Sequence, residues 1–498
     1  MPPRRSTSSV KRYRESTSPL TSSEDDAAYT PAKVTPKTKG ARSTAVKTEA
    51  VIVEAAVNVE AAAPPAKKPR ASKGKVSKAD GENYKGDVGG DEAVEEKPKK
   101  KTPKAKMWPP PDLDPANHPA RSGYPIFALP PTTVSSGSLN PSVAPRPMLL
   151  GAHVSISGGP ATALLRASKA GANGLALFVK NQRSWKSNPY EDEAIQRFRD
   201  LMRPKDEGGM GYPPESILVH GSYLINLGNP DTAKWNMSYE CFRDDLRRCH
   251  QLGIKLYNWH PGSTVGACSK EESLALVAKA INKAHAEVPE VVCVVENMAN
   301  ANSNILGTTF SDLATIIRLV KDKSRIRVCL DTCHTFAAGY DIRTTDTYAE
   351  TMRKFGEEVG FEYLGGMHLN DSKAGLGACK DLHENIGLGE IGLTAFRCIM
   401  RDPRMSHIPL ILETPAADKP LEVGELAVWV KEIKLLYEIQ AIADDEWPAK
   451  RSAIEKRWRA DRDVMNPPKE PKGKAKNAKK AKKGKKDEDE DEGSLWHC

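Results

Sequence analysis

Eight short apolar runs, separated by segments of helical periodicity, restrict the fold of this chain more than any other feature. They are 148–153 (MLLGAH), 174–179 (GLALFV), 216–220 (SILVH), 255–260 (KLYNWH), 291–296 (VVCVVE), 326–331 (IRVCLD), 363–369 (YLGGMHL) and 409–413 (PLILE). Between them apolar residues return at helical intervals, as with Leu313, Ile316, Ile317 and Val320 inside 311–321, or Leu426, Val430, Ile433 and Leu436 inside 421–440. Parallel strands are joined by crossover helices, so strict alternation of strand and helix places the chain in the α/β class. Eight such units over 148–444 predict a (β/α)8 TIM barrel.

The flanks have another texture. Residues 1–147 and 445–498 are rich in Ser, Thr, Pro, Ala and Lys and show no sustained period. They cannot bury enough surface to offset ordering entropy and are expected to be disordered N- and C-terminal extensions. Both are basic, with 25 Lys and Arg against 16 Asp and Glu in 1–147 and 16 against 12 in 445–498, whereas 148–444 carries 33 against 37. An anionic partner must therefore be drawn to the middle section by charge that its side chains do not supply. The clusters at 67–70 (KKPR), 97–106 (KPKKKTPKAK) and 469–486 (KEPKGKAKNAKKAKKGKK) suit nuclear import or nucleic-acid contact, or are plain solvated charge runs.

The basic, acid-free opening through Arg14 has a faint likeness to a mitochondrial presequence, weakened by Pro2 and Pro3. The nucleus is therefore the expected compartment, with the mitochondrion second. Eight of the nine cysteines fall in the middle section without a CxxC pair, which fits buried thiols in a reducing compartment. No apolar run approaches the roughly 20 residues of a membrane span, so no membrane partner is expected.

Chemistry enters at the strand ends. The last six runs close on, or one residue before their end carry, His220, His260, Glu296, Asp331, His368 and Glu413, each a competent metal ligand. Any one of them has an ordinary reading: a hydrogen-bonded structural histidine, or for Asp331 a helix N-cap or turn former. Together they change the odds, because a barrel aims the C-terminal ends of all its strands at one mouth. His334 follows Asp331 by three residues, and Asp381-Leu382-His383 lies in the loop after the seventh run. Five His, two Asp and two Glu are too many for one tetrahedral ion and suit three, with a carboxylate bridging two of them. Imidazole-rich ligation without thiolate favours zinc, and three Zn2+ would supply the missing positive charge at the mouth.

The same residues carry a family resemblance. Gly151-Ala152-His153-Val154-Ser155, Asn181-Gln182-Arg183-Ser184-Trp185, His220-Gly221-Ser222-Tyr223-Leu224, His260-Pro261-Gly262-Ser263, Glu296-Asn297, Asp331-Thr332-Cys333-His334, His368-Leu369-Asn370-Asp371 and Glu413-Thr414 closely resemble the endonuclease IV family. These are AP endonucleases that cut DNA on the 5′ side of abasic sites, and the resemblance spans about 148–440. It implies a first zinc on His220, His260 and Glu296, a second on Glu296, Asp331, His368 and Glu413, and a third on His334, Asp381 and His383. It further implies hydrolysis by an activated water, with Glu296 and Glu413 as catalytic residues and Glu413 either orienting or deprotonating the nucleophile or serving as a ligand only. The products would be a 3′-hydroxyl and a 5′-deoxyribose phosphate, with trimming of blocked 3′ ends, by a monomer acting on duplex DNA in base excision repair.

Recognition would turn a damaged nucleotide out of the stack. Asn181, Gln182, Arg183, Trp185, Tyr223 and Leu224 resemble the residues that enter the minor groove; without the resemblance, Trp185 and Tyr223 read as barrel-edge residues. The chain departs from bacterial members at Gly221, where they often carry Asp, in the loop around Asp381 to Glu390, and in an extended loop over 203–215. His153 is a supporting residue outside the ligand set; His250, His285 and His407 read as surface or structural, and Cys329 and Cys333 as buried thiols. Two other readings compete: a metal-dependent sugar isomerase or epimerase, which needs fewer ligands, and a non-catalytic chromatin-binding protein acting through its Lys-rich tails, which leaves the mouth unexplained.

Overall fold

The structure, a computed structural model, describes residues 108–117, 148–416 and 426–467. The basic clusters at 67–70, 97–106 and 469–486, and most of the expected disordered extensions, lie outside the described residues.

Eight parallel strands close into a barrel: β1 (Leu149–His153), β2 (Gly174–Phe178), β3 (Ile217–His220), β4 (Leu256–Trp259), β5 (Val292–Glu296), β6 (Ile326–Asp331), β7 (Leu364–Leu369) and, last in sequence, β10 (Pro409–Leu412), which pairs with both β7 and β1. Every expected strand is present to within a residue or two. The barrel interior holds Ala176, Leu218, Val294, Cys329 and Ile411, all fully buried. Outside it run the crossover helices, including α1 (Ala161–Lys169), α2 (Asp192–Met202), α3 (Thr232–Leu252), α4 (Lys270–Glu287) and α5 (Phe310–Leu319). Local sequence sets their starts: Ser269 and Glu272 form a reciprocal capping box at α4, and the Asp231 carboxylate accepts from the Lys234 amide at α3. Beyond β6 come α6 (Thr332–Ala337) and α7 (Thr345–Glu358), and α8 (Leu393–Arg401) and α9 (Ala427–Ala441) flank β10.

A small antiparallel ribbon, β8 (Asp371–Ser372) with β9 (His383–Glu384), folds the loop after β7 back on itself. Its registration of Ser372 with His383 brings Asp381 and His383 over the mouth from a loop, whereas most of the other ligands stand at strand ends.

The structure moves two expected boundaries. Residues 447–465, assigned above to a disordered tail, form helix α10 (Trp447–Met465), which buries Trp447, Ile454, Trp458 and Met465. That stripe is narrow and sits among Lys, Arg and Asp, so composition concealed it. In the N-terminal extension, residues 108–117 form two short 3-10 turns: Leu113 is buried, the Arg197 guanidinium lies 4.5 Å over the Trp108 ring, and Lys169 Nζ donates to the Asp112 carbonyl at 2.7 Å. No helix among the described residues is long and apolar enough to cross a membrane.

Candidate metal centre

All nine expected ligands meet at the C-terminal end of the barrel. Ligand atoms of His220, His260 and Glu296 lie within 4.8 Å of one another, as do those of Asp331, His368 and Glu413, and those of Asp331, His334 and His383. Glu296 is the hub: Oε2 is 3.6 Å from Nε2 of both His220 and His260, and Oε1 is 3.0 Å from His368 Nδ1. Asp381 completes the third group, with Oδ2 3.0 Å from His334 Nε2 and Oδ1 2.9 Å from His383 Nε2. Asp331 serves both expected readings. Its Oδ1 caps α6 by accepting from the His334 amide at 2.9 Å, and its Oδ2 lies 3.9 Å from His368 Nδ1 and 3.8 Å from His383 Nε2, between the second and third groups.

The donor set fits a metal for a reason visible in the rings. Nδ1 of His220, His334 and His383 each meets a backbone carbonyl, of Gly221 at 2.8 Å, Asn297 at 2.9 Å and Glu413 at 3.2 Å. A carbonyl only accepts, so Nδ1 carries the proton and Nε2 offers its lone pair to the centre. His334 Nε2, His383 Nε2 and Asp381 Oδ1 are buried without a hydrogen-bond partner. Lone pairs facing lone pairs at such distances need a proton or a cation between them.

Electrostatics divide the ligands: against the pull of burial, Asp331 and Asp381 hold His334, and Cys329, Glu296 and Glu413 hold His368, well above the ordinary histidine value, so in the metal-free site a proton takes the place of the cation. Burial pulls the His220 imidazolium down to about 3 against the charges of Glu413 and Glu296, so this ring stays neutral and free to ligate. Burial would raise the Glu296 carboxyl, but His368 and His260, with hydrogen bonds from His260 and His334, hold it well below the usual carboxylate range. Cys329 and Cys333 are buried beside the ligands, each within one of the ligand groups, and burial pushes both thiols up to about 12.

Sequence reasoning passed over the residues that hold these ligands. Asn258 Nδ2 donates to Glu296 Oε2 and Asn370 Nδ2 to Asp331 Oδ2, each at 2.6 Å, while Asn297 Oδ1 accepts from the Asp331 amide at 2.7 Å. The signal was available: Asn297 follows Glu296, Asn370 stands two residues after His368, and Asn258 two before His260, the spacing that returns a side chain to the same face of an extended chain. His153, set aside as a supporting residue, takes that part by bringing Nδ1 within 2.8 Å of Glu413 Oε1. Asp371 accepts from the amides of Ser372, Ile391 and Gly392 and pins the far end of the ribbon loop.

The six residues expected to touch DNA stand on the rim. Tyr223, 43% exposed, sets its ring edge-on to His220 with centroids 5.4 Å apart, and Trp185 is 39% exposed. Asn181 Oδ1 accepts from the Arg183 amide, and the Ser222 hydroxyl donates to the Gln182 carbonyl at 2.8 Å, joining the loops after β2 and β3; Leu224 follows, half-buried. Three further exposed apolar side chains share this rim: Val265, Leu376 and Leu382. At Gly221, the departure from bacterial members, there is no room for a side chain. A Cβ there would lie 2.9 Å from Trp259 Cβ and closer still to the Tyr257 hydroxyl, which is held by Asp245.

Residues 164–439 match a family model described as a xylose isomerase-like TIM barrel. The chain is 48% identical over 283 residues to apurinic-apyrimidinic endonuclease 1 of Schizosaccharomyces pombe, covering 57% of this chain and 79% of that protein. It is 46% identical over 291 residues to a protein of Campylobacter curvus named "Probable endonuclease 4", covering 58% and 98%. Among solved structures, endonuclease IV from Thermus thermophilus aligns with 31% identity and a TM-score of 0.50, over 59% of this chain and 99% of that one. The ligand-bearing strand ends expected of that family and the extent of these matches lead to one conclusion: the chain belongs to the endonuclease IV family of xylose isomerase-like TIM barrels.

Proposed function

We propose that the protein is a zinc-dependent AP endonuclease of DNA repair. It hydrolyses the phosphodiester 5′ to abasic sites in duplex DNA, leaves a 3′-hydroxyl and a 5′-deoxyribose phosphate, and trims blocked 3′ ends. The carrying observation is the convergence of five imidazoles and four carboxylates at one barrel mouth, with Glu296 facing two groups of ligands at once. His220, His260 and Glu296 would hold one ion, Glu296, Asp331, His368 and Glu413 a second, and His334, Asp381 and His383 a third. Three bound zinc ions would supply Lewis acidity toward the phosphate and lower the pKa of a water at the mouth.

The chain's own residues do the rest. The three carbonyl-anchored histidines already have their rings oriented with Nε2 toward the centre, as a preorganised site requires. His153 fixes the Glu413 carboxylate through Oε1 and leaves Oε2 facing His368 at 3.4 Å. Burial would raise that carboxyl, but His368 and the His153 hydrogen bond hold it low, so Glu413 is a weak base and acts as the group that orients the nucleophile. Trp185, Tyr223 and Leu224 would fill the stack left by an extruded nucleotide, while Asn181, Gln182 and Arg183 track the strand beside it. The enzyme works as a monomer, and its basic clusters direct it to the nucleus, with the mitochondrion second; imaging of the tagged full chain with and without 97–106 tests the nuclear part.

Metal analysis and one assay test the enzymatic reading. Purified protein is expected to carry about three zinc per chain and to incise a duplex with a single abasic site without added magnesium. Zinc-loaded protein that leaves this duplex intact refutes it.

A further inference from the structure

Six of the nine ligands stand at or beside the ends of barrel strands, where the parallel ladder holds the backbone, and His334 is fixed in the first turn of α6. Asp381 and His383 have no such support. They sit in the excursion from Asp371 to Gly392, whose only regular pairing is the two-residue ribbon of β8 and β9. A ligand on a loop needs its geometry set from elsewhere, because a displacement of about 1 Å at a reacting centre can cost about 100-fold in rate.

That support comes from the C-terminal helices. Glu432 on α9 is fully buried, and its Oε1 accepts from the Ile386 amide at 2.9 Å and from Asn385 Nδ2 at 3.1 Å. Its Oε2 takes the hydroxyl of Thr414, the residue after Glu413. One carboxylate therefore ties the segment after His383 to the segment after Glu413. Helix α10 and Asn466, the residue that follows it, add three contacts to the same two segments. Trp458 Nε1 donates to the Ile386 carbonyl at 2.8 Å, Arg462 Nη1 to Glu384 Oε1 at 3.0 Å, and Asn466 Nδ2 to the Ala416 carbonyl at 3.4 Å. Ile386 is held at both its amide and its carbonyl, by two different helices.

We propose that α9 and α10 form a brace that sets the position of His383, and through it Asp381, with Glu432 and Trp458 as positioning residues. Helix α10 begins beyond residue 439, where the family match ends, so the functional domain of this chain runs to about residue 467. The plain alternative is that α10 only covers apolar surface. Cover and brace differ in what they move: cover sets global stability, whereas a brace sets the affinity of one metal group and leaves the others alone. Removing partners that orient a ligand typically costs 10–100-fold in metal affinity.

The inference rests on the metal reading above, and the test separates the two. Full-length Trp458→Phe removes the N–H together with part of the buried ring, so Arg462→Ala and Glu432→Gln, which leave that apolar packing in place, serve as independent variants. The first measurement is hydrogen exchange of the amides from His383 to Leu388, which needs no metal. Arg462→Ala is expected to speed exchange there about tenfold while the thermal midpoint stays near wild type, and Trp458→Phe to speed it at least as much with some loss of midpoint. The second titrates metal-stripped protein with zinc alone against a chelator. One of the wild-type equivalents is expected to weaken about tenfold in Trp458→Phe and the rest to remain unchanged. A chain ending at 467 should behave as full length in both measurements, and one ending at 445 should not. Unchanged exchange at 383–388 in both Trp458→Phe and Arg462→Ala overturns the brace whatever the metal does. Wild-type protein that binds no zinc refutes the metal reading instead.

Discussion

His334 Nε2 lies 3.0 Å from Asp381 Oδ2, and because His334 Nδ1 is committed to the Asn297 carbonyl, that short approach joins two acceptors. His383 repeats the arrangement on the other oxygen at 2.9 Å. Asp381→Asn should therefore lose one zinc equivalent per chain, since an amide offers one acceptor where the two rings need a charge. We expect incision to fall about 100-fold, the scale of removing one preorganised electrostatic group, with the other two equivalents retained. Metal content and single-turnover incision measured on the same sample check this; three equivalents in the variant would exclude Asp381 as a ligand.

The same triad predicts a pH dependence for metal-stripped protein. Burial pulls the His383 imidazolium down, but the Asp381 hydrogen bond and the charge of Asp331 outweigh it and hold the ring up to about 9. The unfolded value is about 6.5. A raised folded value gives stability that is fully present below about pH 6.5 and is lost as pH rises through about 9. The thermal midpoint of stripped protein should fall across that window. Zinc-loaded protein should show much less of this fall, because a cation then does the work of the proton. Parallel curves for the two forms would contradict it.

Glu296 contacts two ligand groups, so its loss should be felt at both. Glu296→Ala is expected to drop zinc content below two per chain and incision by at least about 1,000-fold, the upper end for one electrostatic group. Retention of near-normal activity would exclude the bridging role.

Gly221 tests the local fit beside His220. Gly221→Ala should destabilise the fold by about 2 kcal/mol, the usual cost of overpacking, because the new Cβ meets Trp259 and the Tyr257 hydroxyl. Tyr257→Phe in the same chain should recover part of that loss. Chemical denaturation of the two single variants and the double variant gives the coupling.

The short N-terminal segment also makes a quantitative claim. Deleting residues 1–106 should leave the thermal midpoint unchanged, whereas deleting 1–117 exposes the surface that Leu113 covers and should cost about 1–2 kcal/mol, less than a full Leu burial. Equal midpoints would mean that Trp108 and Leu113 add nothing.

The barrel and the ligands were legible because both follow from periodicity. Strand period and helix period alternate eight times, and a residue such as Glu296 or Asp331 gains meaning from its place at a strand's end. His334 and His383 were found from spacing to a neighbouring carboxylate. The supports were not legible, since Glu432 lies 46 residues from its partner Ile386 and nothing local ties the two. Helix α10 was misread for a different reason. Its four buried side chains, Trp447, Ile454, Trp458 and Met465, are spread over five turns among charged residues, and average composition erases such a stripe.

The two ends of the described barrel open on different faces. Met148 precedes β1 at the end of the barrel away from the ligands, whereas Asn466 hydrogen-bonds the carbonyl of Ala416, three residues past Glu413. A fluorophore at exposed position 467, beside Asn466, would thus report on events at the mouth, and one at exposed Lys255, just before β4, would sit about a strand's length, roughly 15 Å, behind it. The pair forms an internal ruler, with one site for the signal and the other for its control.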